Sequence, residues 1–184
     1  MARPRKNATP PAASLAERLR SALVPEEEQP YPVPANWLWV RLGTLITAFK
    51  EKTDNFFVKN LQYVGLENIE KDGKIMTSVS ANNLKSLKNV FRKDQILYGR
   101  LRPYLNKHGI PTFDGVCSTD ILVFDNTKFS LNKFVNYYFD LSFFIDYAVA
   151  NCKGINLPRV SEETILKAPA PSPRSPNNSA LWSA

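Results

Sequence analysis

The residues able to do chemistry crowd into one basic stretch. Lys85, Lys88, Arg92, Lys93, Arg100, Arg102 and Lys107 fall within 23 residues and face a single acid, Asp94. They supply nearly the whole formal net charge of +7, and the rest of the chain is close to balanced. Such concentrated positive charge suits a surface that faces phosphates. Read as a strand, Gln95 to Arg102 turns Leu97, Gly99 and Leu101 one way and Tyr98, Arg100 and Arg102 the other. Residues two apart on a strand lie about 6.6 Å apart, comparable to the spacing of successive phosphates along one DNA strand. Arginine can also grip guanine with two bonds, and tyrosine can stack on a base or bond a phosphate. Tyr104 continues the polar series, so the candidate DNA contacts are Lys85, Lys88, Arg92, Lys93, Tyr98, Arg100, Arg102, Tyr104 and Lys107. The bland alternatives are plain: an arginine pairing with a carboxylate, Pro103 ending the strand, and Lys85 and Lys88 as solvated loop lysines.

Catalytic groups are sparse by comparison. His108 is the only histidine, and neither Cys117 nor Cys152 sits in a motif with it. Its neighbours Lys107 and Gly109 suggest a loop residue rather than a general base. Asp114, Asp120 and Asp125 share no face at their offsets, and Asp120 reads as a turn residue or a salt-bridge partner. No phosphate-binding loop, dinucleotide fingerprint or zinc spacing occurs, so no cofactor or metal is expected. The two cysteines read as small buried hydrophobes in a reducing compartment. A binding module fits this inventory better than an enzyme does.

Elements must position those residues, and the chain offers one domain's worth of them. At 184 residues, 43% hydrophobic and 22% charged, its composition is that of an ordinary globular protein. Residues 1–12 are Pro, Ala and basic residues without periodicity, which predicts a disordered tail. Ser14 and Glu17 form a capping-box pattern for a short amphipathic helix over 13–24, with Leu15, Leu19 and Leu23 on one face. A proline-rich linker covers 25–36. The domain proper spans 37–168, with strands at Trp37–Leu42, Gln62–Leu66, Gln95–Tyr98 and Ile121–Phe124. Helical spacing follows across 131–151. Strands followed by a late helical segment predict an α+β fold with a mixed or antiparallel sheet. No signal peptide or membrane-length apolar run is visible, and a cytoplasmic location is expected.

The ordered segments resemble the specificity subunits of type I restriction-modification systems. The matching runs begin with Leu23–Trp37, Trp39–Gly43 and Tyr63–Ile69. Ile96–Lys107, Gly115–Phe124 and Leu157–Ser161 complete the series, in the family's order and with plausible spacing. The resemblance implies a target-recognition domain, the first of two in a full subunit, each reading one half of a bipartite site in double-stranded DNA. Long helices between the domains would dock methyltransferase (M) subunits, and a restriction or motor (R) subunit would cleave. The specificity subunit itself would do no chemistry. Base-reading residues vary with the site, so none is carried over. Arg100, Arg102, Tyr104 and Lys107 fall within a shared motif, which points to phosphate contact or fold support.

Two other readings stand beside it. One is a half-length specificity subunit that dimerises. The other is an RNA-binding module, suggested by basic residues interleaved with Phe91, Tyr98, Tyr104 and Phe113. A methyltransferase fragment is disfavoured because no Asn-Pro-Pro-aromatic motif occurs; Asn156-Leu-Pro is the nearest run.

Residues 169–184 depart from the family, which continues into a long helix through a run such as Pro-Leu-Ala-Glu-Gln-Gln-Arg-Ile-Val. Here the stretch lacks periodicity and acidic residues, and reads as a disordered tail. Codons permitted by Pro173 to Trp182 encode that same run in a shifted frame. The expectation is a frameshift near Ala170 that removes the coupling helix, leaving weak, salt-sensitive DNA binding and impaired contact with methyltransferase subunits. The gene should carry codons compatible with the shifted run; incompatible codons would end the idea.

Overall fold

A computed structural model describes residues 15–54, 61–71, 73–76, 86–127 and 130–173. Lys85, Ser14 and the two expected tails, apart from residues 169–173, lie outside the described residues.

Among the described residues, ten strands and four α-helices follow one another in chain order. Helix α1 (Leu15–Ala22) leads to β1 (Trp37–Arg41), β2 (Ile46–Ala48), β3 (Lys52–Thr53) and β4 (Gln62–Val64). Then come β5 (Lys88–Phe91), β6 (Ile96–Gly99), β7 (His108–Gly109), β8 (Gly115–Cys117) and β9 (Ile121–Asn126). Helices α2 (Asn132–Tyr138), α3 (Ser142–Ala150) and α4 (Glu162–Lys167) precede the last strand, β10 (Pro169–Pro173). The fold is α+β.

Two four-stranded sheets and one strand pair organise these elements. The first sheet runs β2-β9-β6-β7 and is antiparallel throughout. The second runs β3-β5-β8-β4 and is mixed, because β4 lies parallel to β8. The first sheet is covered on both faces. Ile46, Ile96, Tyr98, Leu122 and Phe124 enter a core shared with the helices, while Leu97, Ile121 and Val123 enter a second core with Val64, Phe91 and Cys117 of the second sheet. A strand covered on both sides reads as an unbroken apolar run, which is why Ile121–Phe124 does not alternate.

The helical segment expected across 131–151 is divided at Phe139–Leu141. On a single helix, Tyr138, Phe139 and Phe144 would spread around the circumference at about 100° per residue. The break lets all three converge. Phe139 and Phe144 lie 4.8 and 5.9 Å from the Tyr98 ring, and Tyr138 lies 4.9 Å from Phe144.

Both ends of the expected domain need correction. The proline-rich segment at 25–36 is largely exposed but tethered to the domain: Tyr31 sits edge-on to Trp39 at 5.0 Å and its carbonyl accepts the indole N–H. Pro169–Pro173, assigned from composition to a disordered tail, is a strand paired with β1 from Arg41↔Pro169 to Trp37↔Pro173. Ala170 and Ser172 are fully buried there. Prolines are tolerated because they alternate along β10, which among the described residues pairs with β1 on one edge. The buried Tyr138 hydroxyl anchors the strand by donating to the Pro169 carbonyl at 2.8 Å. Tyr138→Phe should lower stability by about 1 kcal/mol, read as an earlier urea midpoint with an unchanged slope.

Candidate nucleic-acid interface

Strand β6 divides the basic stretch into two patches. Lys88, Arg92 and Lys93 lie before it, and Arg100 and Arg102 after it, with a strand of roughly 13 Å between. In the first patch, Lys88 donates to the Ser86 hydroxyl. Arg92 is bound to Glu51 at 2.8 Å, with its guanidinium 6.0 Å from the centre of the Phe49 ring. Lys93 is exposed, and its backbone N–H is held by the Asp114 carboxylate at 2.7 Å. These cations reach the surface, but Arg92 is already neutralised.

Two sequence-stretch candidates turn out to serve the fold. Tyr98 is 0% exposed and sits among Phe139 and Phe144, so it is a core residue and not a DNA contact. The alternation along β6 separates two cores, not core from solvent. Burial pushes the Tyr98 phenol well above its ordinary range. Lys107 folds inward, its Nζ donating to the carbonyls of Leu66 at 2.7 Å and Ile69 at 3.0 Å. It adds a second donor to the Leu66 carbonyl, which also accepts from the Ile69 N–H at 3.4 Å, and so braces the end of the 3-10 turn Leu66–Asn68. Gly99 permits this packing, since a Cβ there would fall 2.7 Å from a Leu66 methyl.

The expected strand through Arg102 stops at Gly99, so Arg100 and Arg102 share no strand face. Arg100 lies between two backbone bonds, its N–H donating to Asp120 at 2.9 Å and its carbonyl accepting from Val160 at 3.0 Å. Arg102 takes a left-handed conformation (φ 52°), donates its N–H to Pro158, and starts the turn Pro103–Leu105. Arg102 is exposed and Tyr104 is 54% exposed. This turn is fastened by His108, which lies buried in β7 rather than in a loop. Its ring nitrogens face Asn136 Oδ1 at 2.9 Å and Asp140 Oδ1 at 3.0 Å. Asn106 donates to the same Asp140 oxygen at 3.2 Å.

A second segment, Lys153–Arg159, completes this patch. Lys153 and Arg159 exchange N–H···O=C bonds of 2.8 Å each way, closing a tight loop. Gly154 supplies the left-handed turn at φ 101°, and Ile155 at the tip is 99% exposed. Arg100, Lys153 and Arg159, with Asn151, Ser161 and Thr164, line a cavity of about 340 Å³. Asp120 fixes its wall through two bonds to Arg159, of 2.8 and 3.1 Å. As its sequence position suggests, Asp120 is both a turn residue and an ion-pair partner. With Asp120 committed to Arg159, Arg100, Arg102 and Lys153 form no ion pair among the described residues. The arrangement can bind anions. Lys153 and Arg159 were missed because they lie some 50 residues beyond the basic stretch; only the run Leu157–Ser161 marked their neighbourhood.

Among the described residues, no group of three His, Cys, Asp or Glu side chains could hold a metal, and no helix is long and apolar enough to cross a membrane. Cys117 is buried, which raises its thiol far above the ordinary range, and Cys152 is half-buried.

No family model matches the chain. It is 28% identical over 147 residues to the EcoDI type I restriction enzyme specificity subunit of Escherichia coli, a match covering 78% of this chain and 33% of that one. The chain thus spans about a third of the length of this curated relative. Among solved structures, the HsdS subunit of Thermoanaerobacter tengcongensis matches with a TM-score of 0.66 and 24% identity, over 85% of this chain and 43% of that one. A chain from a structural study of complex assembly and conformational transition in the type I R-M system matches at 0.67 and 24%, over 78% and 40%. The type I S subunit of M. genitalium follows at 0.51 and 12%, over 77% and 36%. The resemblance read from the sequence, to a target-recognition domain of type I specificity subunits, is borne out.

The Asp120–Arg159 pair gives a pH signature. The Arg159 hydrogen bonds, then its charge and that of Arg100, hold the Asp120 carboxyl below its ordinary range despite partial burial. A lowered folded value means stability present above the unfolded pKa of about 3.9 and lost as pH falls through the folded one. The stability gap between the wild type and Asp120→Asn should therefore be widest near neutral pH and close below about pH 4. Urea midpoints across pH 3–7 would measure it.

Proposed function

We propose that this chain is a target-recognition domain that reads one half of a bipartite site in double-stranded DNA and does no chemistry itself. In this reading, partner methyltransferase subunits methylate adenine, and a restriction subunit cleaves, at sites the domain selects. The observation that carries it is the convergence of Arg100, Arg102, Lys153 and Arg159 at one end of β6, on a fold that specificity subunits share.

The physical case runs from charge to geometry. Duplex DNA is held chiefly through its phosphates, and the cations that do so must be exposed and not already neutralised. Arg102 and Lys153 meet that condition, Arg100 stands half-buried between them without an ion pair among the described residues, and Tyr104 beside them offers a hydroxyl to a phosphate. Lys88 and Lys93 form a second, weaker patch beyond β6. An RNA-binding reading has less support. Of the four aromatics interleaved with the basic residues, Phe91 and Tyr98 are buried and Phe113 is half-buried, leaving only Tyr104 as a platform for unstacked bases.

Fluorescence anisotropy with labelled duplex DNA, titrated at several salt concentrations, tests the reading. Binding should weaken steeply with salt, and Arg102→Ala should reduce the slope of log K against log salt by about 0.9. Lys107→Ala should instead lower the thermal midpoint while leaving that slope unchanged. Equal or tighter binding to single-stranded RNA, or no binding to duplex DNA at low salt, would count against the proposal.

A further inference from the structure

We infer that the loop Lys153–Arg159 is a base-reading finger, with Ile155 and Asn156 at its tip meeting an A·T pair in the major groove. The inference rests on the DNA-reading function proposed above and assigns specificity to two residues within it.

Ile155 is 99% exposed, while its neighbour Leu157 remains 47% exposed. A lone surface aliphatic is ordinary, but this one stands at the apex of a braced loop. The paired 2.8 Å bonds between Lys153 and Arg159 fix its base. The two bonds from Arg159 to Asp120 fix that base against the β8–β9 turn. Gly154 makes the turn at φ 101°, and a Cβ there would lie 3.1 Å from the Leu157 carbonyl. Such bracing lowers the entropy lost when the tip is held by a ligand.

The surroundings indicate which ligand. Arg100, Lys153 and Arg159 line the cavity behind the loop, and Arg102 is bonded to Pro158 at its far end. An apolar tip ringed by cations suits a molecule with a charged rim and an apolar or polar interior edge. Duplex DNA has that form: phosphates border a major groove whose one apolar marker is the thymine C5-methyl. Ile155 can pack on that methyl. Asn156, exposed beside it, carries the amide that pairs with adenine N6 and N7. Arg100, Arg102 and Lys153 then bind the flanking phosphates and Ile155–Asn156 identifies the pair between them.

Enrichment from a pool of randomised duplexes, sequenced after binding to the wild-type chain and to Ile155→Ala, Asn156→Ala and Arg100→Ala, tests this. Because Ile155 and Asn156 are exposed, their variants should keep the wild-type thermal midpoint. The wild type should enrich an A·T pair at a fixed position. Ile155→Ala and Asn156→Ala should each weaken that preference about tenfold while retaining binding to the unselected pool. Arg100→Ala should weaken binding to all duplexes evenly. An unchanged preference in both tip variants, or duplex binding by the wild type without any preference, would overturn the finger alone. Failure of the wild type to retain any duplex would remove the DNA-reading function and the finger together.

Discussion

Everything in this domain depends on a sheet with no wet face. Strands β9 and β6 lie at the centre of the first sheet, with the helices over one side and the second sheet over the other. Hydrophobic burial on both faces leaves Ile96–Gly99 and Ile121–Phe124 without a charged side chain, and β9 turns polar only at its end, with Asp125 and Asn126. Polar and charged residues are displaced to the strand ends and the connecting turns. The cations Arg100, Arg102 and Lys153 therefore sit on turns and loops beyond the strands, which hold those turns in place.

Those turns are joined by a few bonds between residues far apart in sequence. Asp120 and Arg159 are separated by 39 positions yet meet through two hydrogen bonds. Lys107 ties its own turn to residues about 40 positions earlier. His108 and Asn106 reach the junction between α2 and α3. Each contact anchors a loop to an element on another part of the chain. The anchoring groups and the cations left free have the same chemistry, and only geometry tells them apart. Arg159 is mostly structural because a carboxylate meets it, and Arg102 is available because none does.

That distinction sets how far the sequence could be read. The strands at Trp37, Gln62, Ile96 and Ile121 were legible because apolar runs bounded by turn residues carry their own signal. Tyr98 and Lys107 were misread for opposite reasons. Tyr98 belongs to a strand covered on both faces, for which period-two reasoning has no meaning. Lys107 looks like a solvated cation until the carbonyls of Leu66 and Ile69 are placed beside it. Lys153 and Arg159 were invisible as site members because convergence in space leaves no trace in local composition. Pro169–Pro173 was misjudged since an alternating proline strand resembles a disordered tail until a partner is seen.

The pairing of β1 with β10 has a further consequence. Trp37 lies opposite Pro173, so the chain enters the main body and leaves it at neighbouring points. A unit whose two connections are adjacent behaves as a cassette. It can be exchanged within a longer polypeptide without altering the separation of the segments on either side. On the proposed DNA-reading function, sequence preference would be replaced wholesale, by swapping the cassette, rather than altered one contact at a time.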